Sequence, residues 1–195
     1  MSTGGEPQDR VLWLLRHAKA ATDPPPGGAD HDRPLAPRGR RDAAALSRRI
    51  GAGDLDLALD VGAGPLRDGG PDGRPSYVLC STARRTTETA QAASEGLGLV
   101  IDRRARLYYA TPDDVLAELR TIDDGHRAVL VVGHNPATQV LAVDLLCEET
   151  PGRSRLSSFP TCGLAVVRFG VTRWQDVAMG TGTLAGFFVP PYDAT

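Results

Sequence analysis

Val11-Leu12-Trp13-Leu14-Leu15-Arg16-His17 is the stretch on which the reading of this chain turns. Five apolar residues in succession, without polar alternation, describe a strand buried on both faces and therefore central in its sheet. The run ends abruptly on an arginine and a histidine. Ala128-Val129-Leu130-Val131-Val132-Gly133 repeats the pattern and delivers the chain directly to His134. Two of the four histidines thus follow strand-like runs, where α/β folds place reactive groups.

Residues 1–10 are polar and read as a loose arm, and residues 20–37, with Pro24-Pro25-Pro26-Gly27-Gly28, as a loop. Ala43, Leu46 and Ile50 recur at helical spacing over residues 39–50 and predict the first helix. A short extended segment is expected at residues 55–61, followed by an exposed Gly- and Pro-rich excursion over residues 62–75. Tyr77-Val78-Leu79-Cys80 reads as a second buried strand, with Ser81 or Thr82 capping a helix from about Arg84 toward Gly96. Pro112, Asp113 and Asp114 open a helix through Leu119, and another follows Pro136 and ends near Cys147. Three more strands are expected at residues 164–167, 174–179 and 184–189. Strands alternating with helices imply a layered α/β fold, and 195 residues fit a single domain spanning residues 1–195.

The formal net charge of −2 gives no bulk reason to bind nucleic acid or an anionic membrane. No stretch approaches transmembrane length and no leader is evident, so a soluble cytoplasmic protein is expected. Cys80, Cys147 and Cys162 are odd in number and lack a C-x-x-C spacing, which predicts packed, reduced thiols and no structural metal. No coiled-coil seam fixes an oligomeric state.

Arg16-His17, Arg84-Arg85 and His134 occupy comparable strand-to-helix points. Guanidinium groups bind nonbridging phosphoryl oxygens bidentately, and a neutral imidazole attacks phosphorus. His17 is therefore the candidate nucleophile, Arg16 and Arg84 the candidate clamp, and His134 a hydrogen-bond donor to the phosphoryl group. Taken singly, each has a bland alternative: a histidine satisfied by backbone, an arginine in a surface ion pair. Arg33 borders the same pocket or organises its own loop with Asp32. Arg38, Arg40 and Arg41 read as a solvated helix face, His31 and His126 as exposed, and Trp13 and Trp174 as core.

Leu15-Arg16-His17-Ala18-Lys19 resembles the Arg-His-Gly signature of the histidine phosphatase superfamily, the phosphoglycerate mutase-like group, with Ala18 in place of the usual glycine. The segments 32–39, 81–90, 132–136 and 159–163 extend the resemblance, in the order typical of the small SixA-type phosphohistidine phosphatases. The resemblance implies a three-layer α/β/α sandwich around a mostly parallel sheet. It also implies a metal-independent phosphatase that needs no cofactor and forms a phosphohistidine intermediate on His17, with Arg16, Arg84 and His134 completing the phosphate pocket. Tyr109 stands where related small phosphatases often carry a proton-donating glutamate. Asp23, Asp30, Asp32, Asp113 and Asp114 are other acids able to approach the pocket, and Tyr109 itself could donate a hydrogen bond. A missing acid favours a leaving group less basic than an alkoxide. The expected partner is a phosphorylated protein, foremost a phosphohistidine protein, or a small phosphorylated metabolite. A small-molecule phosphomonoesterase and a nonenzymatic phosphate-binding adaptor are the competing readings.

Overall fold

The computed structural model describes residues 9–53, 55 and 74–192. Among the described residues six strands form one sheet: β1 (Arg10–Arg16), β2 (Tyr77–Ser81), β3 (Val100–Arg104), β4 (Ala128–Gly133), β5 (Leu164–Phe169) and β6 (Thr183–Phe188). Their order is β3-β2-β4-β1-β5-β6. β3, β2, β4 and β1 are parallel, while β5 runs antiparallel to both β1 and β6. The described α-helices that cover the sheet are α1 (Pro37–Ala52), α2 (Arg84–Ala93), α3 (Pro112–Leu119) and α4 (Ala137–Asp144).

The unbroken apolar run of β1 has a direct physical outcome. Side chains alternate across a strand, so Val11, Trp13 and Leu15 enter a core with Leu46 and Ile50 of α1 and Ala90 and Ala93 of α2. Leu12 and Leu14 enter the opposite core with Leu116 and Leu119 of α3 and Leu141 of α4. The result is the three-layer α/β/α arrangement, with β1 as its central seam.

Local chemistry sets the helix ends. Pro37 begins α1, where its missing N–H needs no partner, and Gly53 ends it at φ 73°, donating to the carbonyls of Arg49 and Ile50. Thr111 caps α3: its Oγ1 accepts from the Asp114 amide, and Asp114 Oδ2 accepts from the Thr111 amide.

Several expectations are corrected. Residues 174–179 are not a strand. Trp174–Asp176 is a 3₁₀ turn, which sets Trp174 and the residue that follows the turn, Val177, three apart and facing one core. The Trp174 indole N–H donates to the His126 carbonyl at 2.6 Å, which fixes the bend. β3 has no counterpart in the sequence reading, because this edge strand, Val-Ile-Asp-Arg-Arg, lacks an apolar pattern. Two of its charged residues are satisfied laterally, with Arg104 bonding both Asp102 and Glu118. α2 ends at Ala93 and α4 at Asp144, each before the expected boundary. Neither Ser81 nor Thr82 is the cap of α2; Ala83 takes that position without a side-chain bond. At the start of the chain, Arg10 already belongs to β1 and Asp9 accepts from Arg168 Nε at 2.6 Å, so these two residues are not a loose arm. The rest of the arm (residues 1–8), the segment after Leu55 and most of the 62–75 excursion lie outside the described residues. Among the described residues no helix is long and apolar enough to cross a membrane.

Candidate active site

Strand register creates the site. β1 pairs in parallel with β4 so that Arg16 lies beside Gly133. The next residue of each strand is therefore a histidine, at the same sheet edge. The His17 amide donates to the Gly133 carbonyl at 3.0 Å, and the His17 and His134 rings lie 5.2 Å apart. The turn before β5 closes the other side: the Arg16 amide donates to Gly163 O, and the Cys162 amide donates to the carbonyls of Arg16 and His17. α2 adds a further tie, because Thr89 Oγ1 accepts from the Ala18 amide at 3.0 Å.

His17 is oriented through one ring nitrogen. Nδ1 lies 2.8 Å from the Ala18 carbonyl, which can only accept, so Nδ1 carries the proton and Nε2 keeps its lone pair. The His17 pKa is pushed down to about 4, first by burial, against the raising effect of the Ala18 bond and with the help of the nearby Arg85, Arg16 and Arg33 charges. His134 is pushed down to about 3, first by burial and then by His17 and Arg85. Both rings are neutral at neutral pH. His134 Nε2 sits 3.0 Å from Ser81 Oγ, and Ser81 Oγ also accepts from the Ala83 amide. Ser81 thus serves the site and not the helix end.

The arginines divide sharply. Arg16 donates from one terminal nitrogen to the Phe159 carbonyl at 2.7 Å, while its buried Nε has no hydrogen-bond partner among the described residues. Asn135 shares that carbonyl at 3.1 Å, tying the turn after β4 to the approach to β5. Arg33 donates from Nε to Ala21 O and from a terminal nitrogen to Asp30 Oδ1, each at 2.8 Å.

Arg84 is not brought into the site. Its side chain is 51% exposed and donates to Glu88 Oε1 at 2.7 Å, one helical turn along α2. Arg85 takes the inward position: its side chain is 10% exposed, bonds the Asp30 carbonyl at 2.8 Å and pairs with Asp30 Oδ2 at 3.0 Å. Consecutive helical residues point about 100° apart, so a shift of one position moves a guanidinium from solvent to pocket. The signal was present in the sequence. Arg84 and Glu88 form an i,i+4 ion pair on the polar face, whereas Arg85 shares the buried stripe with Thr86, Thr89, Ala90 and Ala93.

The acidic candidates also sort themselves. Asp30 accepts from Arg33, Arg85 and the Tyr108 hydroxyl, and these bonds pull its pKa down to about 2. It is a fixed carboxylate at neutral pH, and hence no proton donor. Asp32 and Asp114 accept from the Ala29 and Thr111 amides, and Asp23 and Asp113 are exposed. Tyr109 is 85% exposed, whereas Tyr108 faces the site, with its ring 5.7 Å from His134 and from the Arg85 guanidinium. His31 is half-buried, bonding Thr82 Oγ1 and meeting the edge of Tyr108, and His126 is half-buried beside Tyr77. Among the described residues no group of three or more His, Cys, Asp or Glu could hold a metal ion.

A phosphoryl-sized anion would find neutral imidazoles, buried guanidinium groups and a strand-end backbone in this arrangement. The chain belongs to the histidine phosphatase superfamily, branch 1, whose family model matches residues 12–108, and it is accordingly a phosphatase-class hydrolase. Within that superfamily its likeness is to the SixA-type branch. A SixA phosphohistidine phosphatase candidate from Nakamurella multipartitia is 28% identical, with a TM-score of 0.75 over 94% of this chain and 97% of that one. Another from Agrobacterium tumefaciens is 28% identical, with a TM-score of 0.66 over 93% of this chain and 98% of that one. An uncharacterized Mycobacterium tuberculosis protein is 39% identical over 180 residues, 90% of this chain and 99% of that protein.

Proposed function

We propose that the chain is a protein phosphohistidine phosphatase that works through a phosphorylated His17. The observation that carries this reading is the state of His17: Nδ1 tied to the Ala18 carbonyl, Nε2 carrying a free lone pair, and the ring neutral among arginines. In the first step Nε2 forms a bond to phosphorus as the bond to the leaving nitrogen breaks, its electron pair returning to that nitrogen. Arg16, Arg33 and Arg85 hold the nonbridging oxygens, with the unpartnered Nε of Arg16 among the donors. Ser81 Oγ–H donates to Nε2 of His134, so that Nδ1–H of His134 faces a phosphoryl oxygen. In the second step water attacks phosphorus, its proton passes to solvent, and the electron pair of the His17–phosphorus bond returns to Nε2.

The choice of a nitrogen leaving group rests on Asp30. An alkoxide needs a proton donor, an effect of roughly 100- to 10,000-fold, and the Asp30 carboxylate, bonded to Arg33, Arg85 and Tyr108, is held ionised. A phosphorylated imidazole whose other nitrogen is protonated departs as a neutral ring without such help.

The test is phosphate release from a phosphohistidine protein, phosphotyrosine peptides and small phosphomonoesters, with His17→Ala as the matched control. His17-dependent turnover led by the phosphohistidine protein is expected. Faster turnover of monoesters would overturn the substrate assignment, and stoichiometric binding without phosphate release would overturn catalysis.

A further inference from the structure

Beyond the pocket that holds the phosphoryl group lies a continuous series of rings. The His17 and His134 centroids are 5.2 Å apart, His134 and Tyr108 5.7 Å, and Tyr108 and Tyr109 4.2 Å. Tyr108 is held from several directions: its hydroxyl donates to Asp30 Oδ2 at 2.9 Å, the His31 ring meets it at 4.9 Å, and the Arg85 guanidinium lies over it. Tyr109 packs against this fixed ring yet remains 85% exposed. A lone surface tyrosine is ordinary. One that extends an ordered aromatic wall outward from the nucleophile has a definite position relative to the reaction.

Attack by His17 is in line, so the departing group leaves on the side of phosphorus opposite Nε2, and a leaving group carried by a protein substrate must leave toward solvent. We propose that Tyr108 and Tyr109 form a leaving-group subsite for a planar ring, so that Tyr109 gives ring-bearing phosphoramidates an advantage over alkyl ones. The occupant to which this commits is the imidazole of a phosphohistidine side chain. This rests on the phosphatase reading above and extends it to residues outside the phosphoryl clamp. In the step concerned, the His17 Nε2–phosphorus bond forms and the phosphorus–imidazole bond breaks. The electron pair goes to the departing ring nitrogen while the opposite nitrogen keeps its proton. The ring leaves neutral, and offset or edge contact with tyrosine favours it over an alkylamine, which has no π-face.

The test compares two P–N substrates that differ in leaving-group shape: a phosphohistidine peptide and a phospholysine peptide of the same sequence. kcat/KM is measured for the wild-type chain, Tyr109→Ala and Tyr109→Phe. The histidine-to-lysine ratio is expected to fall about 3- to 10-fold in Tyr109→Ala and to stay within about 2-fold of wild type in Tyr109→Phe, because the ring supplies the contact. An unchanged ratio in Tyr109→Ala, with His17-dependent turnover intact, would overturn the subsite alone. A ratio that falls equally in Tyr109→Phe would overturn stacking as its basis. Absence of His17-dependent turnover of either peptide in the wild-type chain would overturn the phosphatase reading and the subsite with it.

Discussion

The two sides of the candidate site are built differently. On the histidine side, backbone does the positioning: parallel register places His17 beside the end of β4, and the Gly133, Cys162 and Gly163 main chain holds the turn. On the arginine side, side chains position one another. Arg33, Arg85 and Tyr108 come from a loop, a helix and a 3₁₀ turn's end, and all three converge on the single carboxylate of Asp30. A site half fixed by sheet geometry and half by one acidic hub should respond unequally to mutation, and the contrast can be broken at several points.

The largest effect is expected on α2. Arg85→Ala should lower kcat/KM by about 100- to 1,000-fold, the range for losing a charged donor to a transition state. Arg84→Ala should stay within about 3-fold, because an exposed ion pair contributes little. Steady-state kinetics of the two neighbours, run side by side, decides the point. Equal losses would place both guanidiniums in the pocket and dissolve the inward–outward distinction.

Asp30→Asn is the next test. It keeps the shape of the hub but removes the charge that holds Arg33 and Arg85, so kcat/KM should fall about 10- to 100-fold, in the range of supporting partners that orient a catalytic group. The same substitution should leave the His17 Nδ1–Ala18 bond in place, since that contact belongs to the backbone side. The NMR chemical shifts of the His17 ring nitrogens at neutral pH check this. A switch of tautomer in Asp30→Asn would show that the two sides are not separately built.

A smaller effect concerns acid. His17 and His134 accept protons near pH 6.5 in an unfolded chain but only near 4 and 3 in the folded one. Between these values the unfolded state binds more protons, so stability should fall as pH drops from about 6.5 toward 4. Urea unfolding at pH 7, 6 and 5 measures this directly. His134→Gln should flatten the slope, and a slope unaffected by the substitution would contradict the burial of a neutral ring.

The same contrast governs what could be read from the sequence. His17 and His134 were legible because an apolar run announces its own strand and the residue after it. The layered fold followed from those runs and from the helical spacing of residues such as Leu46 and Ile50. The arginine side was harder. Choosing Arg85 over Arg84 required the phase of a short helix rich in threonine and alanine, where the apolar stripe is faint although the Glu88 spacing marks it. Placing Tyr108, and not Tyr109, on the Asp30 carboxylate required knowing that a 3₁₀ turn at Ala105–Leu107 precedes them, for which no local residue pattern is specific. The convergence on Asp30 joins residues up to 78 positions apart, and side-chain pairing over that span leaves no periodic trace.

The antiparallel return of β5 has a consequence in time. Arg16 and His17 are made well before the Gly163 carbonyl and Cys162 amide that hold their backbone, which lie more than 140 residues further along the chain. At synthesis rates of about 5–20 residues per second, the nucleophile waits roughly 7 to 30 seconds for the turn that seats it. A ribosome-bound fragment ending before β5 would carry His17 without its frame. Activity in this enzyme is therefore acquired only once Gly163 has been made, and a premature stop before Gly163 yields a chain with its chemistry encoded but unassembled.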